Sequence, residues 1–391
     1  MNVRDLFFAL LSFEIAGVAP ADGIPASLSS KTATALFSLA ERHSLLHLIT
    51  DAIEKNGIAV EDGALREDTK RKKQYQLAHF LQMEYYFEQL RAALDAAKIP
   101  YLPLKGAVLR RYYPEEWMRN SCDIDILVHE EDRAAAEAAV EEIGFTDRRL
   151  GSHDVSFFLG RVHLELHYSL LEDDRANDAR FLLARVWEYA QKKTDSFEYE
   201  LSDEMFFFYH LVHMAKHIEI GGCGVRSFAD LWILDHAVPF DREKREALLR
   251  QGDLLQFARK AEALSEIWFS GAEPTEDLCL FEEYILTGGT YGNIRNRVYV
   301  SGARTKNKLS YLRRIIFPAR ETLSFRFPIL KKFPFLLPFC WIARWFLALF
   351  RPSARKTLKT GVEMTGKTGK EELEKTKQLM RSLGLKGSGE N

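Results

Sequence analysis

Two aspartates separated by one residue sit in the run Cys122-Asp123-Ile124-Asp125-Ile126-Leu127-Val128. Alternate residues of a strand share a face. Asp123 and Asp125 therefore point together, while Ile124 and Ile126 point into a core. Adjacent carboxylates repel, and holding them near a core without a cation is costly. A divalent ion relieves both problems, and hard oxygen ligands favour Mg²⁺ or Mn²⁺. A third acid lies in Val162-His163-Leu164-Glu165-Leu166-His167. Alternation puts His163, Glu165 and His167 on one face and Val162, Leu164 and Leu166 on the other. If this strand neighbours the first, Glu165 joins Asp123 and Asp125. Three such carboxylates meet the needs of a two-metal site. The third completes a coordination sphere or accepts the proton of an attacking hydroxyl. The implied chemistry is metal-assisted phosphoryl or nucleotidyl transfer. Asp147 and Asp154 are weaker substitutes for Glu165.

The surrounding pattern supplies elements to position these residues. Ile99 to Leu104 is short and extended, and Pro100 and Pro103 suit a sheet edge. A short helix is expected from Ala107 to Tyr112, broken by Pro114. Asp132 to Ile143 reads as a helix with Asp132 at its N-cap and Gly144 as its stop. Ser156–Leu159 and Arg161–Tyr168 read as a hairpin around Gly160. This order predicts a small α+β domain with a mixed sheet. Helical spacing marks Leu36 to Ile49 and Leu77 to Leu94, with residues 62–75 expected as a solvated link or helix start. Helices return over 202–300, beginning with the apolar face Phe206, Phe207, Leu211, Met214 and Ile218.

Plainer readings exist for several of these residues. The aspartate pair suits a solvated edge strand, but its Ile/Leu/Val neighbours argue for burial. Lys105 reads either as a strand-end cap or as a phosphate ligand. Arg119 reads either as a partner of Glu115 or Glu116 or as a contact to phosphate or the acidic cluster. His163 and His167 do not have the helical metalloprotease spacing, which disfavours zinc. His210, His213 and His217 share a helix face. With Asp230 they suit buried packing first, then an acceptor pocket, then a metal.

The chain has 391 residues, 47% of them hydrophobic, enough for two or three domains. Cys122, Cys223, Cys279 and Cys340 form no CxxC pair. That argues against a zinc ribbon or disulfide framework and fits a reducing compartment. The first residues carry no basic and apolar leader pattern, so a cytoplasmic location is expected. The net charge of −2 hides an asymmetry, because residues 301–360 hold fourteen Lys/Arg against the single acid Glu321. Such polarity suits a polyanionic partner, a membrane surface, or an acidic body of the same chain. The apolar stretch 328–350 is interrupted by charges and prolines, too short a run to span a bilayer. It suits either packing on the helical body or peripheral membrane contact through residues 320–355.

The combination Leu104-Lys105-Gly106, Arg119 and Asp123-Ile124-Asp125 resembles the uncharacterised nucleotidyltransferase family of the polymerase-beta-like superfamily. So do His210, His213, His217, Arg226 and Asp230, and the later Phe317-Pro318 and Phe333 to Pro338. The resemblance implies an α+β fold: a polymerase-beta-like palm with a small mixed sheet, flanked by N- and C-terminal helical regions. It places an N-terminal helical region at 1–95, the palm at 96–200 and a C-terminal helical domain at 201–300. Composition, not the resemblance, marks a basic aromatic-rich helical segment at 301–360 and an exposed helix and disordered tail at 361–391. The resemblance implies Mg²⁺ (or Mn²⁺) held by Asp123, Asp125 and Glu165, and an NTP donor with ATP as the default. Lys105, Gly106 and Arg119 would bind the donor. The wider superfamily carries Gly-Ser where this chain has Lys105-Gly106, so no serine hydroxyl is expected at that turn. The implied reaction moves an NMP from the NTP to an acceptor, releasing pyrophosphate. The rival reading is a catalytically inactive nucleotide sensor or binding protein on the same palm. Nucleic acid is a disfavoured partner. Neither acceptor nor oligomeric state has a signature in the chain.

Overall fold

The computed structural model describes residues 1–19, 23–151, 153–171, 178–304, 316–324, 326–350, 356, 359–361, 363–364 and 366–385. The chain divides into two units. The first comprises Met1–His213 with Val225–Pro274, and the second Met214–Gly224 with Thr275–Asn391.

The first unit opens with α1 (Val3–Ala16), β1 (Ser27–Leu28), α2 (Ser30–Arg42), α3 (Leu46–Lys55), β2 (Ala59–Val60) and α4 (Gly63–Ala96). Asn2 and Ser29 cap α1 and α2 by accepting backbone N–H groups of Asp5 and Thr32. The charged stretch 62–75 is no separate link but the first half of α4, begun by Asp62 accepting from Leu65 N at 3.0 Å. Charge pairing keeps this half helical. Lys72 meets Asp68 one turn away at 3.0 Å, and Lys73 reaches Asp51 and Glu54 of α3 at 2.5 and 2.6 Å. The second half of α4 buries Met83, Phe87, Leu90 and Leu94 at helical spacing.

Next come β3 (Tyr101–Pro103), α5 (Gly106–Leu109), β4 (Ile124–Val128), α6 (Arg133–Glu142), β5 (Asp147–Leu150), β6 (Asp154–Leu159) and β7 (Val162–His167). The five strands form one sheet in the order β3-β4-β7-β6-β5. β4 and β7 are parallel, and the other neighbours are antiparallel. The sheet is therefore mixed, and β3 with Pro103 lies at its edge as expected. Gly160, at φ 59°, makes the β6–β7 turn. One sheet face is the core. Ile124, Ile126 and Val128 of β4, with Val162, Leu164 and Leu166 of β7, pack against the α4 stripe and Ala136, Ala139 and Val140 of α6. Each large side chain so buried contributes about 1.5–3 kcal/mol. The opposite face is left to the polar residues of both strands.

The unit is completed by α7 (Asp178–Leu183), the pair β8 (Ala190–Lys192) and β9 (Tyr199–Leu201), and four helices. These are α8 (Asp203–Glu219), whose last turns belong to the second unit, α9 (Val225–His236), α10 (Arg242–Gln251) and α11 (Leu255–Phe269). Trp268 of α11 stacks on Phe8 of α1 at 4.7 Å and meets Phe228 of α9 edge-on at 5.0 Å. A small mixed sheet with helical flanks is the α+β architecture expected from the sequence.

In the second unit, α12 (Cys279–Gly288) and α13 (Ile294–Ala303) precede short helical segments, a helix at Leu337–Leu349 and another at Lys367–Ser382. The helix expected to be exposed within 361–391 is partly buried instead. Leu373 packs with Met364 on Val298 and Tyr299 of α13, because its apolar stripe finds a matching face there. The tail expected to be disordered falls on residues 386–391, outside the described residues. Among the described residues, no helix is long and apolar enough to cross a membrane.

Candidate functional site

The β4–β7 pairing brings the acidic residues together. Their parallel register sets Asp125 directly opposite Glu165. Both side chains leave the face opposite Ile124, Ile126, Leu164 and Leu166, as alternation requires. Asp123 stands one residue before β4. One ligand atom each from Asp123, His163 and Glu165 lie within 4.8 Å of one another, as do those from Asp125, Glu165 and His167. Glu165 is shared by both groups and links the two aspartates. Convergence of Glu165 with the pair, expected from two separate strand patterns, is therefore a feature of the fold.

The two aspartates have opposite electrostatics. Burial pushes the Asp123 carboxyl up to about 7, and the Asp125 charge beside it adds to the rise. Asp125 is only 1% exposed. Burial alone would raise it too. The Lys105 ammonium at 2.7 Å and His167 Nε2 at 3.0 Å outweigh that and hold it well below the usual carboxylate range. His167 answers in kind. Burial pulls it down, but hydrogen bonds to Asp125 and Glu165 raise it to about 9. Two cations thus face three carboxylates.

Lys105 comes from the turn between β3 and α5. Its backbone sits at φ 45° and ψ −118°, a conformation that strains a non-glycine residue by about 1–3 kcal/mol. Leu104 N donates to Asp125 O at 3.0 Å, which fixes the turn against β4. Gly106 follows, and a Cβ there would stand 1.7 Å from Ser121 Oγ and 2.9 Å from Ser121 Cβ. Glycine is needed so that the loop before β4 can lie on the turn. A hydroxyl is thus present at this turn after all, supplied by Ser121, fifteen residues away in the chain. The sequence pattern at Lys105-Gly106 has no signal for it.

Arg119 is buried and donates from Nε to Asp230 Oδ1 of α9 at 2.6 Å. The same carboxylate oxygen accepts from Tyr113 Oη at 2.7 Å. Burial works against the charge on Asp230, but Arg119 and His210 nearby hold it below its usual range. Arg119 also donates to Asn120 O at 2.7 Å, and Arg226 donates to the same carbonyl at 3.2 Å. The loop that delivers Asp123 is therefore tied to α9 by a buried ionic network. Glu115 and Glu116, the neighbouring partners considered from sequence, are not the ones Arg119 meets here. His210 donates from Nε2 to Ser227 O at 2.9 Å, and burial lowers its pKa. That is the packing role expected first. Among the described residues, the metal-competent clusters are the two around Glu165, and neither includes His210, His213 or His217. Sequence reasoning did not single out Tyr209 of α8. It is buried within electrostatic reach of Lys105, Asp125, Glu165 and Asp123, and burial raises its pKa.

The donor set fits a divalent ion. Carboxylate oxygens predominate, and His163 Nε2 is buried without a hydrogen-bond partner among the described residues. The Lys105 ammonium holds a counter-ion position on Asp125, which a bound metal ion would have to share. Carboxylate oxygens suit Mg²⁺ and Mn²⁺ alike.

A family model described as an uncharacterised nucleotidyltransferase matches residues 29–270, which include both strands and α9. No curated protein and no solved structure matches the chain.

Proposed function

We propose that this chain, which belongs to the uncharacterised nucleotidyltransferase family, transfers an NMP group from an NTP to an acceptor and releases pyrophosphate. The observation that carries the reading is the Asp125–Glu165 register pair with Asp123 beside it. In this reading Asp123, Asp125 and Glu165 hold Mg²⁺ or Mn²⁺. When bound, such an ion lowers the pKa of an attacking hydroxyl and offsets charge on the departing pyrophosphate.

The protein's own groups do the rest. A bond forms between an acceptor oxygen and the α-phosphorus, and the bond from that phosphorus to the β-bridging oxygen breaks. Glu165, half-buried at the edge of the cluster, completes the ion's coordination or, alternatively, takes the acceptor's proton. Lys105 is suited to steady phosphate charge once Asp125 has a metal partner, and Gly106 lets the Ser121 loop lie on that turn. Arg119 acts through Asp230 and the loop, fixing where Asp123 stands. Positioning and electrostatics supply most of the acceleration in such transfers. ATP is the default donor, and the acceptor offers a hydroxyl or phosphate oxygen. The expected setting is the cytoplasm.

The direct Lys105–Asp125 ion pair favours a second reading, a nucleotide sensor without turnover. Incubation of the full chain with α-labelled and γ-labelled ATP, Mg²⁺ or Mn²⁺ and cell extract separates the two. Catalysis predicts transfer of the α-label alone, pyrophosphate release, and loss of both in Asp125→Asn. Nucleotide binding with no transfer from any NTP would establish the sensor.

A further inference from the structure

The second unit carries an aromatic face that its own core does not use. The helix Leu337–Leu349 buries one side. Leu336, Leu337, Cys340 and Trp341 pack with Leu323, Phe327 and Leu330. Its two indoles bond to the same unit, donating from the half-buried Trp341 Nε1 to Pro318 O at 2.9 Å and from the exposed Trp345 Nε1 to Ile316 O at 2.8 Å. Phe317 lies edge-on to both rings, at 5.1 and 5.3 Å. The other side is the stripe Phe335, Phe339, Ile342, Phe346 and Phe350, at spacings of four, three, four and four. Phe335, Phe339 and Phe346 are 71%, 67% and 62% exposed. Isolated exposed apolar residues are ordinary, but a contiguous aromatic stripe marks an interaction surface.

The charges around the stripe indicate what it meets. Residues 316–350 contain Arg320, Arg326, Lys331, Lys332 and Arg344 against one acid, Glu321. Lys331 and Lys332 stand exposed just before the stripe begins. A second copy of this chain would bring the same basic groups against one another across a two-fold interface, with only Glu321 of each copy to offset five cations. A surface of negative charge over an apolar interior complements both features. The helix has 13 residues, about 20 Å of rise, and the hydrocarbon core is about 30 Å thick, so it lies along the surface and does not cross it.

We propose that the helix Leu337–Leu349 and its basic lead-in form a docking surface for a bilayer containing anionic lipid. The aromatic stripe enters the boundary between headgroups and acyl chains. Lys331 and Lys332 contact anionic headgroups. The two indole hydrogen bonds keep the helix seated on its own unit while its outer face is engaged. This inference is independent of the transfer reaction, because it uses no residue of the acidic site.

The test is sedimentation of the full chain with phosphatidylcholine vesicles, with and without phosphatidylglycerol, at low and high salt. The expected result is pelleting with the anionic vesicles, weakened by salt and by Lys331→Glu/Lys332→Glu. Phe339→Ser/Phe346→Ser is expected to lower the partition by about tenfold or more, with an unchanged circular dichroism spectrum. These side chains are exposed, so the variant keeps its core. Three results overturn the proposal. One is no pelleting with anionic vesicles. Another is equal pelleting by the phenylalanine variant. The third is a dimer in sedimentation velocity that this variant dissociates, without vesicle binding by the wild type.

Discussion

Asp123→Asn is expected to stabilise the protein at pH 8 when divalent ions are removed. Burial and the neighbouring Asp125 charge raise the Asp123 carboxyl from 3.8 to about 7. At about 1.4 kcal/mol per pH unit that rise amounts to ~4 kcal/mol. Partial exposure and coupled titration with Asp125 reduce the expected net effect to ~1–2 kcal/mol. The sign follows from proton binding. Between about pH 4 and pH 7 the folded state holds this proton and the unfolded chain does not. Stability from this residue is therefore complete below the unfolded pKa and is lost as pH rises through the folded one. The amide carries no such cost, so its advantage is small near pH 4 and fullest above pH 7. Thermal unfolding in a chelator, followed by circular dichroism, reads the difference. The variant should melt about 2–4 °C higher at pH 8, with less than half that gain at pH 5. Adding Mg²⁺ or Mn²⁺ should then raise the wild-type transition by mass action and leave the variant nearly unmoved. A variant that melts no higher at pH 8, or gains equally at both pH values, would refute the electrostatic account of the site.

Two further predictions concern the residues around the carboxylates. Gly106→Ala places a methyl group 1.7 Å from Ser121 Oγ and should cost about 1–3 kcal/mol in urea unfolding. Adding Ser121→Gly should restore most of it, and an unchanged single variant would show that the loop has room to move. Asp230→Ala leaves the Arg119 guanidinium and the Tyr113 hydroxyl buried without their acceptor. The expected loss is ~3–5 kcal/mol, read by the same unfolding experiment, and a loss under ~1 kcal/mol would show that the network does not hold the Asp123 loop.

The local parts of this site were legible in the chain, because strand alternation is a local rule. His163, Glu165 and His167 share a face for the same reason that Asp123 and Asp125 do, and the flanking Ile and Leu residues fixed which face was the core. The β6–β7 hairpin was marked by Gly160. Long-range partners left no such trace. Asp230 lies 111 residues from Arg119, and nothing in either segment's spacing points to the other. Ser121 reaches Gly106 only because the loop before β4 folds back over the turn. For the first half of α4 the charges left two readings open, a solvated link or a helix start, and pairing within the helix and with α3 makes it the helix start. The helix near the C-terminus read as exposed because its apolar residues are sparse, yet α13 supplies a face that matches them.

The central claim is that Asp123, Asp125 and Glu165 together clasp a divalent ion. Anomalous scattering from crystals grown with Mn²⁺ and a non-hydrolysable NTP measures this directly. The account predicts a peak about 2.1–2.2 Å from carboxylate oxygens of these three residues, lost in Asp125→Asn. An empty cluster, or manganese bound elsewhere while β4 and β7 keep their register, would contradict it.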